Sequence, residues 1–215
     1  MSAARLPRLS TVDALTAALR QRILDDDLRP GTPLREEQLR REYGVARHSL
    51  RSALRALKAE GLVEIEANRG ARVARLGPED LRGLADLRIA LEMEAAHLAL
   101  LRGGGRLPRD VHESAASLAA ICRRRSPSWG AVAEAHEEFH HAIVRASESP
   151  RLEAVHRQVG AELRLFVLQL PPAFTFERIA SDHLELVGRL ESEGPEALRT
   201  HIAESTDALL AASGG

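Results

Sequence analysis

Apolar residues recur at every third or fourth position through most of this chain, which is the spacing of a helix face at about 3.6 residues per turn. In STVDALTAALRQRILDD the stripe is Val12, Leu15, Leu19 and Ile23, opened by Ser10 as a cap with Asp13 three residues on. Pro30, Gly31 and Pro33 in LRPGTPL stop that helix. A short second helix, REEQLRREYG, ends at Gly44, and a third, VARHSLRSALRALKAEG, turns Val45, Leu50, Leu54 and Leu57 inward and stops at Gly61. The pattern then changes to strict alternation. LVEIE and ARVAR read as two strands, with Ala67–Gly70, ANRG, turning between them. After a short linker at Leu76–Pro78 the helical spacing returns and persists to the end. It predicts six helices, at 79–102, 108–124, 129–147, 150–170, 176–193 and 195–212, broken by RGGGRLP, RRSPS, SESP, PPAF and SEGP.

Two short helices joined by a tight turn and followed by a hairpin describe a winged helix-turn-helix. Six helices on short loops favour antiparallel neighbours. The expected fold is mainly α: a winged helix-turn-helix over residues 1–76 and a C-terminal antiparallel bundle of about six helices over 77–215.

Charge supports the division. Residues 1–75 hold 15 Lys+Arg against 10 Asp+Glu, whereas the rest of the chain holds 15 against 21. A basic front and an acidic back imply different partners. The third helix begins with Arg47, His48, Ser49 and Arg51, followed by Ser52 and Arg55. Its N-terminal end would enter the major groove of double-stranded DNA, where arginine pairs bidentately with guanine O6 and N7. Arg69 at the wing tip suits a phosphate or the minor groove. Composition adds that aromatics are only 3%, so Leu, Ala, Val and Ile must fill the core. The lone Cys122 rules out an intramolecular disulfide and suits a reducing cytoplasm. No apolar run is long enough for a membrane span, and MSAARLPRLS lacks the apolar core of a signal peptide, so a cytoplasmic location is expected.

One motif points elsewhere. Residues 136–140, HEEFH, match the H-E-x-x-H pattern of zinc proteases, in which two histidines hold the metal and Glu137 would be the general base. The stripes give another reading. His136 and His140 fall among Val132, Ala135, Phe139 and Ile143. His183 falls with Ile179, Leu186, Val187 and Leu190, and His201 lies at the edge of Leu198, Ile202, Ser205 and Leu209. Four imidazoles from three helices thus aim at the bundle interior, and a divalent metal would satisfy their nitrogens together. His48, His97, His112, His141 and His156 fall outside this set.

The pieces ILDDDLRPGTPLREEQL, YGVARHSLRSALRALKAEGLVE and NRGARV resemble the DNA-binding domain of GntR-family bacterial transcription regulators. Arg47 and Arg51 match that family's DNA-contacting arginines and Gly70 its wing glycine, while Ala46 stands where a hydroxyl residue is usual. The helical half resembles the FCD effector-binding domain of the FadR-like branch. There the metal motif is Asp-x-x-x-His followed by two histidines on the last two helices, met here by His140, His183 and His201, with His136 in the aspartate's place. In DLRIALEMEAAHLAL, Arg88 and Glu92 occupy the usual places. The resemblance implies a cytoplasmic homodimeric regulator, a repressor that reads an inverted-repeat operator. Its helical domain would bind a divalent metal, Zn or Ni, at His136, His140, His183 and His201, and a small carboxylate effector with Arg88 as charge partner. The alternatives are a sensor of metal alone and a zinc hydrolase using His136, Glu137 and His140.

Overall fold

The computed structural model describes residues 10–66, 69–170 and 173–213, which form two compact units, Met1–Arg75 and Leu76–Gly215. In the first unit helix α1 (Thr11–Leu24) starts at the expected cap. The Ser10 hydroxyl accepts from the Asp13 backbone N–H, and the Asp13 carboxylate accepts from the Ser10 backbone N–H, so two orphan donors of the first turn are satisfied reciprocally. Leu15, Leu19 and Ile23 are buried, with Val12 only partly so. Helix α2 (Glu36–Tyr43) ends at Gly44, whose φ of 62° is the left-handed turn that redirects the chain into α3 (Arg47–Ala59). Helix α3 buries Leu50, Ala53, Leu54 and Leu57 against α1 and α2.

The wing carries one strand that periodicity did not anticipate. Strands β2 (Val63–Glu66) and β3 (Gly70–Val73) pair antiparallel as expected, Val63 opposite Val73 and Glu66 opposite Gly70. Residues Pro33–Leu34, read only as a helix stop, form β1 on the other side of β3, in the order β1-β3-β2. A two-residue strand is too short to show a period of two, and an edge position tolerates a proline. Gly70 has φ +84°, a backbone geometry that favours glycine where the wing re-enters β3. Ala67 and Asn68 of the expected turn lie outside the described residues.

In the second unit the described helices are α4 (Pro78–Arg102), α5 (Arg109–Cys122), α6 (Trp129–Ala146), α7 (Pro150–Val167), α8 (Phe176–Glu193) and α9 (Glu196–Ser213). Helix α6 packs on α5, α7 and α4; α8 packs on α5 and α9; and α9 packs on α4. Leu118, Val132, Phe139, Ile143, Leu163, Ile179, Leu186, Leu190 and Ile202 are buried in one apolar cluster. Each such side chain stabilises the fold by about 1.5–3 kcal/mol relative to exposure. Helix α7 ends three residues earlier than expected, because the backbone tightens to i→i+3 bonds from Gln169 to Phe166 and from Leu170 to Val167. This packing brings the inner faces of α4, α6, α8 and α9 together, which is where the histidines lie.

Candidate functional site

In the first unit, the start of α3 and the wing border one open groove of about 640 Å³, lined among others by Arg35, Glu36, Arg47, Arg51, Arg55, Arg69 and Gly70. Arg47 and Arg51 are 65% and 51% exposed and Arg69 is 80% exposed, so all three can reach a ligand. Arg55 and His48 are exposed as well. Ser49 departs from the expected set. It is only 7% exposed, because as the third residue of α3 it heads the buried row Ser49, Ala53, Leu57, and its hydroxyl lies 3.3 Å from the His48 ring. Ala46 is the N-cap of α3 and offers no side-chain acceptor, so the first-turn N–H groups are left for another acceptor, such as a phosphate.

In the second unit the four stripe histidines meet. His136 and His140 on α6, His183 on α8 and His201 on α9 can each offer a nitrogen so that all four lie within 4.8 Å of one another. All four are buried, His201 the least at 8%. Their protonation can be read from their partners. His183 Nδ1 lies 2.7 Å from the Ile179 carbonyl, which only accepts, so Nδ1 carries the hydrogen and Nε2 is a bare lone pair. That Nε2 and His136 Nδ1 are buried with no hydrogen-bond partner among the described residues. His140 Nδ1 lies 2.7 Å from Glu92 Oε2 and so donates to it, which again directs Nε2 as the acceptor.

Burial pushes all four imidazoles down from their ordinary value, with neighbouring rings and Arg88 adding to this and Glu92 opposing it at His140, His183 and His201: His183 falls to about 3, while His136 and His201 lie well below 6.5. The rings are therefore neutral Lewis bases at pH 7, the form a metal requires. Burial alone would raise the Glu92 carboxyl, but Arg88 and His140 beside it hold it well below the usual carboxylate range. Arg88, expected to meet an effector's charge, is only 2% exposed and already engaged. Its Nε donates to Glu92 Oε1 at 2.8 Å, and its terminal nitrogen lies 3.2 Å from both nitrogens of His140. An anion at the cluster would share Arg88 with Glu92.

Two histidines outside the set of four form a second layer. His156 is fully buried on α7 with Nε2 3.7 Å from Glu92 Oε1, and its Nδ1 lies 3.4 Å from that of His141. His156 does lie on the buried row His156, Gly160, Leu163, Val167, so helical spacing could have found it. Glu137 goes elsewhere. A Cβ added at Gly160 of α7 would lie 3.0 Å from Glu137 Oε1, so the carboxylate rests against α7, whereas the cluster is built by α6, α8 and α9. Between α8 and α9 a cleft of about 120 Å³, lined by Arg178, Glu185, Arg189 and Glu204 among others, has His201 in its wall.

A pH dependence follows. An unfolded imidazole takes up a proton near 6.5, while folded His183 resists until about 3. The unfolded chain therefore binds more protons across that window, and stability is lost as pH falls through it. The melting temperature of metal-free protein is expected to drop between about pH 6.5 and pH 5, before most carboxylates titrate. His183→Ala should make that part of the profile shallower. An unchanged slope in the variant would show that His183 does not resist protonation.

The chain is similar to known proteins. Residues 11–73 match the family model described as bacterial regulatory proteins, gntR family, and residues 83–208 match the FCD domain. An uncharacterized HTH-type transcriptional regulator, BphR of Paraburkholderia xenovorans (strain LB400), is 31% identical over 91% of this chain and 84% of its own. A "Probable D-xylose utilization operon transcriptional repressor" of Paenarthrobacter nicotinovorans is 28% identical over 98% of this chain and 94% of its own. Among solved structures, a GntR regulator from Rhodococcus sp. RHA1 is similar at a TM-score of 0.69 and 25% identity, covering 95% of this chain and 98% of that one.

Proposed function

Since the chain belongs to the GntR family of bacterial regulatory proteins, with a DNA-binding winged helix-turn-helix and an FCD domain, we propose that it is a metabolite-responsive repressor whose histidine cluster holds a divalent metal and, through it, a small organic acid. The families and relatives it matches are transcription regulators rather than enzymes. No helix among the described residues is long and apolar enough to cross a membrane.

One observation carries the metal reading: buried imidazole nitrogens with no partner. Each costs about 1–3 kcal/mol if left so, and nothing else among the described residues satisfies His136 Nδ1 or His183 Nε2. His136, His140, His183 and His201 would hold the ion, which would supply a Lewis-acidic anchor for a carboxylate. Glu92 fixes the His140 tautomer and the Ile179 carbonyl fixes that of His183, so two ligands are pre-oriented by second partners. An all-imidazole set carries no charge of its own, which favours Zn or Ni over harder ions and favours an anionic guest. The chain acts as a homodimer, because two recognition helices reading an inverted repeat bind far better than one. Effector binding lowers operator affinity by favouring the arrangement that DNA does not select.

The test is a thermal melt and an operator-binding titration on protein stripped of metal. Zinc or nickel alone should raise the melting temperature, and a small carboxylic acid should raise it further and weaken operator binding. At a ligand concentration of 100 times Kd the gain is about 2.7 kcal/mol. Metal that changes operator affinity with no further response to any acid would assign the chain to sensors of metal alone. No response to either metal would overturn the reading.

A further inference from the structure

The two arginines at the start of α3 are not independent. Arg51 Nε lies 3.1 and 3.2 Å from the two carboxylate oxygens of Glu36, and Arg47 Nε lies 3.4 Å from Glu36 Oε2. Glu36 begins α2, and its neighbour Glu37 does what acidic residues of a first helical turn commonly do, pairing along its own helix with Arg40 at 3.0 Å. Glu36 instead reaches across to the next helix and takes two cations one turn apart. Those cations, at i and i+4, would otherwise repel each other. The atoms used also matter. Both arginines line the groove and use Nε for these bonds, so the terminal nitrogens, the end that pairs with guanine O6 and N7, are not taken up by hydrogen bonds to Glu36. The carboxylate is 29% exposed beside that groove, where it also repels phosphate.

We infer that Glu36 is a positioning and specificity-determining residue. It aims Arg47 and Arg51 at base edges and withholds them from the sugar-phosphate backbone. Flexible arginines settle wherever negative charge is densest, and in a duplex that is the phosphates, which carry no sequence information. A shared carboxylate fixes their rotamers before binding and lowers their net charge, so the complex gains discrimination at the expense of general affinity.

The experiment uses the full chain and a duplex selected by it from a random pool, with a scrambled duplex as the reference. Binding is followed by fluorescence anisotropy over a range of salt. Glu36→Gln and Glu36→Ala should tighten binding to the scrambled duplex and steepen its salt dependence by about one phosphate equivalent per arginine released. The ratio of selected to scrambled affinity should fall by tenfold or more. In a background carrying Arg47→Ala and Arg51→Ala, Glu36→Gln should have no further effect on that ratio. Equal melting temperatures exclude a folding defect, and whichever of the two variants melts like the unmodified chain is the one compared. An unchanged ratio and salt slope would overturn the inference, as would an effect that persists without the two arginines. Failure of the unmodified chain to select any duplex would remove the DNA-reading role of α3 itself, and this inference with it.

Discussion

Replacing Arg47 or Arg51 by alanine is expected to abolish specific operator binding while the chain still folds. Both side chains are more than half exposed, so their loss should change stability by no more than about 0.5 kcal/mol. The effect on DNA is far larger. One bidentate arginine–guanine pair discriminates by about 1–3 kcal/mol, and the proposed symmetric dimer would lose two of them for each substitution. Specific affinity should therefore fall by roughly 30-fold to over 10,000-fold, since about 1.4 kcal/mol is a factor of ten. Affinity for a scrambled duplex should change little. Arg69→Ala is the contrast. Its side chain stands at the wing with Glu66, at 3.3 Å, as its ion partner among the described residues. Its loss should weaken both duplexes alike and lower the salt slope by about one. Gel shift or anisotropy separates the patterns, and wild-type affinity for the selected duplex in either α3 variant would remove these arginines from base recognition.

How far the sequence could be read depended on distance along the chain. Helices α4 to α9 were legible because each repeats its apolar spacing over nearly four turns or more, and their ends are marked by Gly and Pro. The strand β1 was not, because Pro33–Leu34 has no internal period and exists only through its pairing with Arg72 and Ala71 nearly forty residues on. The same rule applies to the sites. The inward aim of His136, His140, His183 and His201 follows from each helix's own stripe, and their convergence needed only that the three helices be neighbours. Arg88 and Glu92 are four residues apart on one helix and so could be paired by spacing. Their joint hold on His140, 52 residues away from Arg88, could not. Ser49 shows the opposite error. Its place among basic residues suggested exposure, but it stands four and eight residues before Ala53 and Leu57, and so on the face of α3 that is buried. Glu36 was invisible for the same reason as β1, since its partners lie 11 and 15 residues on, in the next helix.

His183→Ala is expected to remove metal binding and the response to effector together, while Glu137→Gln leaves both intact. His183 is the cleanest ligand to delete. Its side-chain hydrogen-bond partner among the described residues, the Ile179 carbonyl, is four residues earlier on the same helix and keeps the backbone N–H of residue 183, so no buried acceptor is orphaned. His140→Ala would instead leave Glu92 short of a donor inside the bundle, a loss of about 1–3 kcal/mol that mixes folding with metal binding. Perturbing a second partner of a ligand typically lowers metal affinity by about 10–100-fold, so deleting the ligand itself should exceed that range. Elemental analysis of protein prepared without chelator or affinity tag should find about one divalent ion per chain, falling to background in His183→Ala. The operator affinity of that variant should then ignore both added metal and added acid. Glu137 is the discriminating control. Its carboxylate rests against Gly160 on α7, off the cluster, and Gln has the same size and shape. A metal hydrolase would lose its general base with that substitution and with it nearly all peptide cleavage. A regulator would keep its metal, its effector response and its operator. Metal content in His183→Ala equal to that of the unmodified chain would remove His183 from the site, and metal-dependent cleavage lost in Glu137→Gln would return the H-E-x-x-H segment to the proteases.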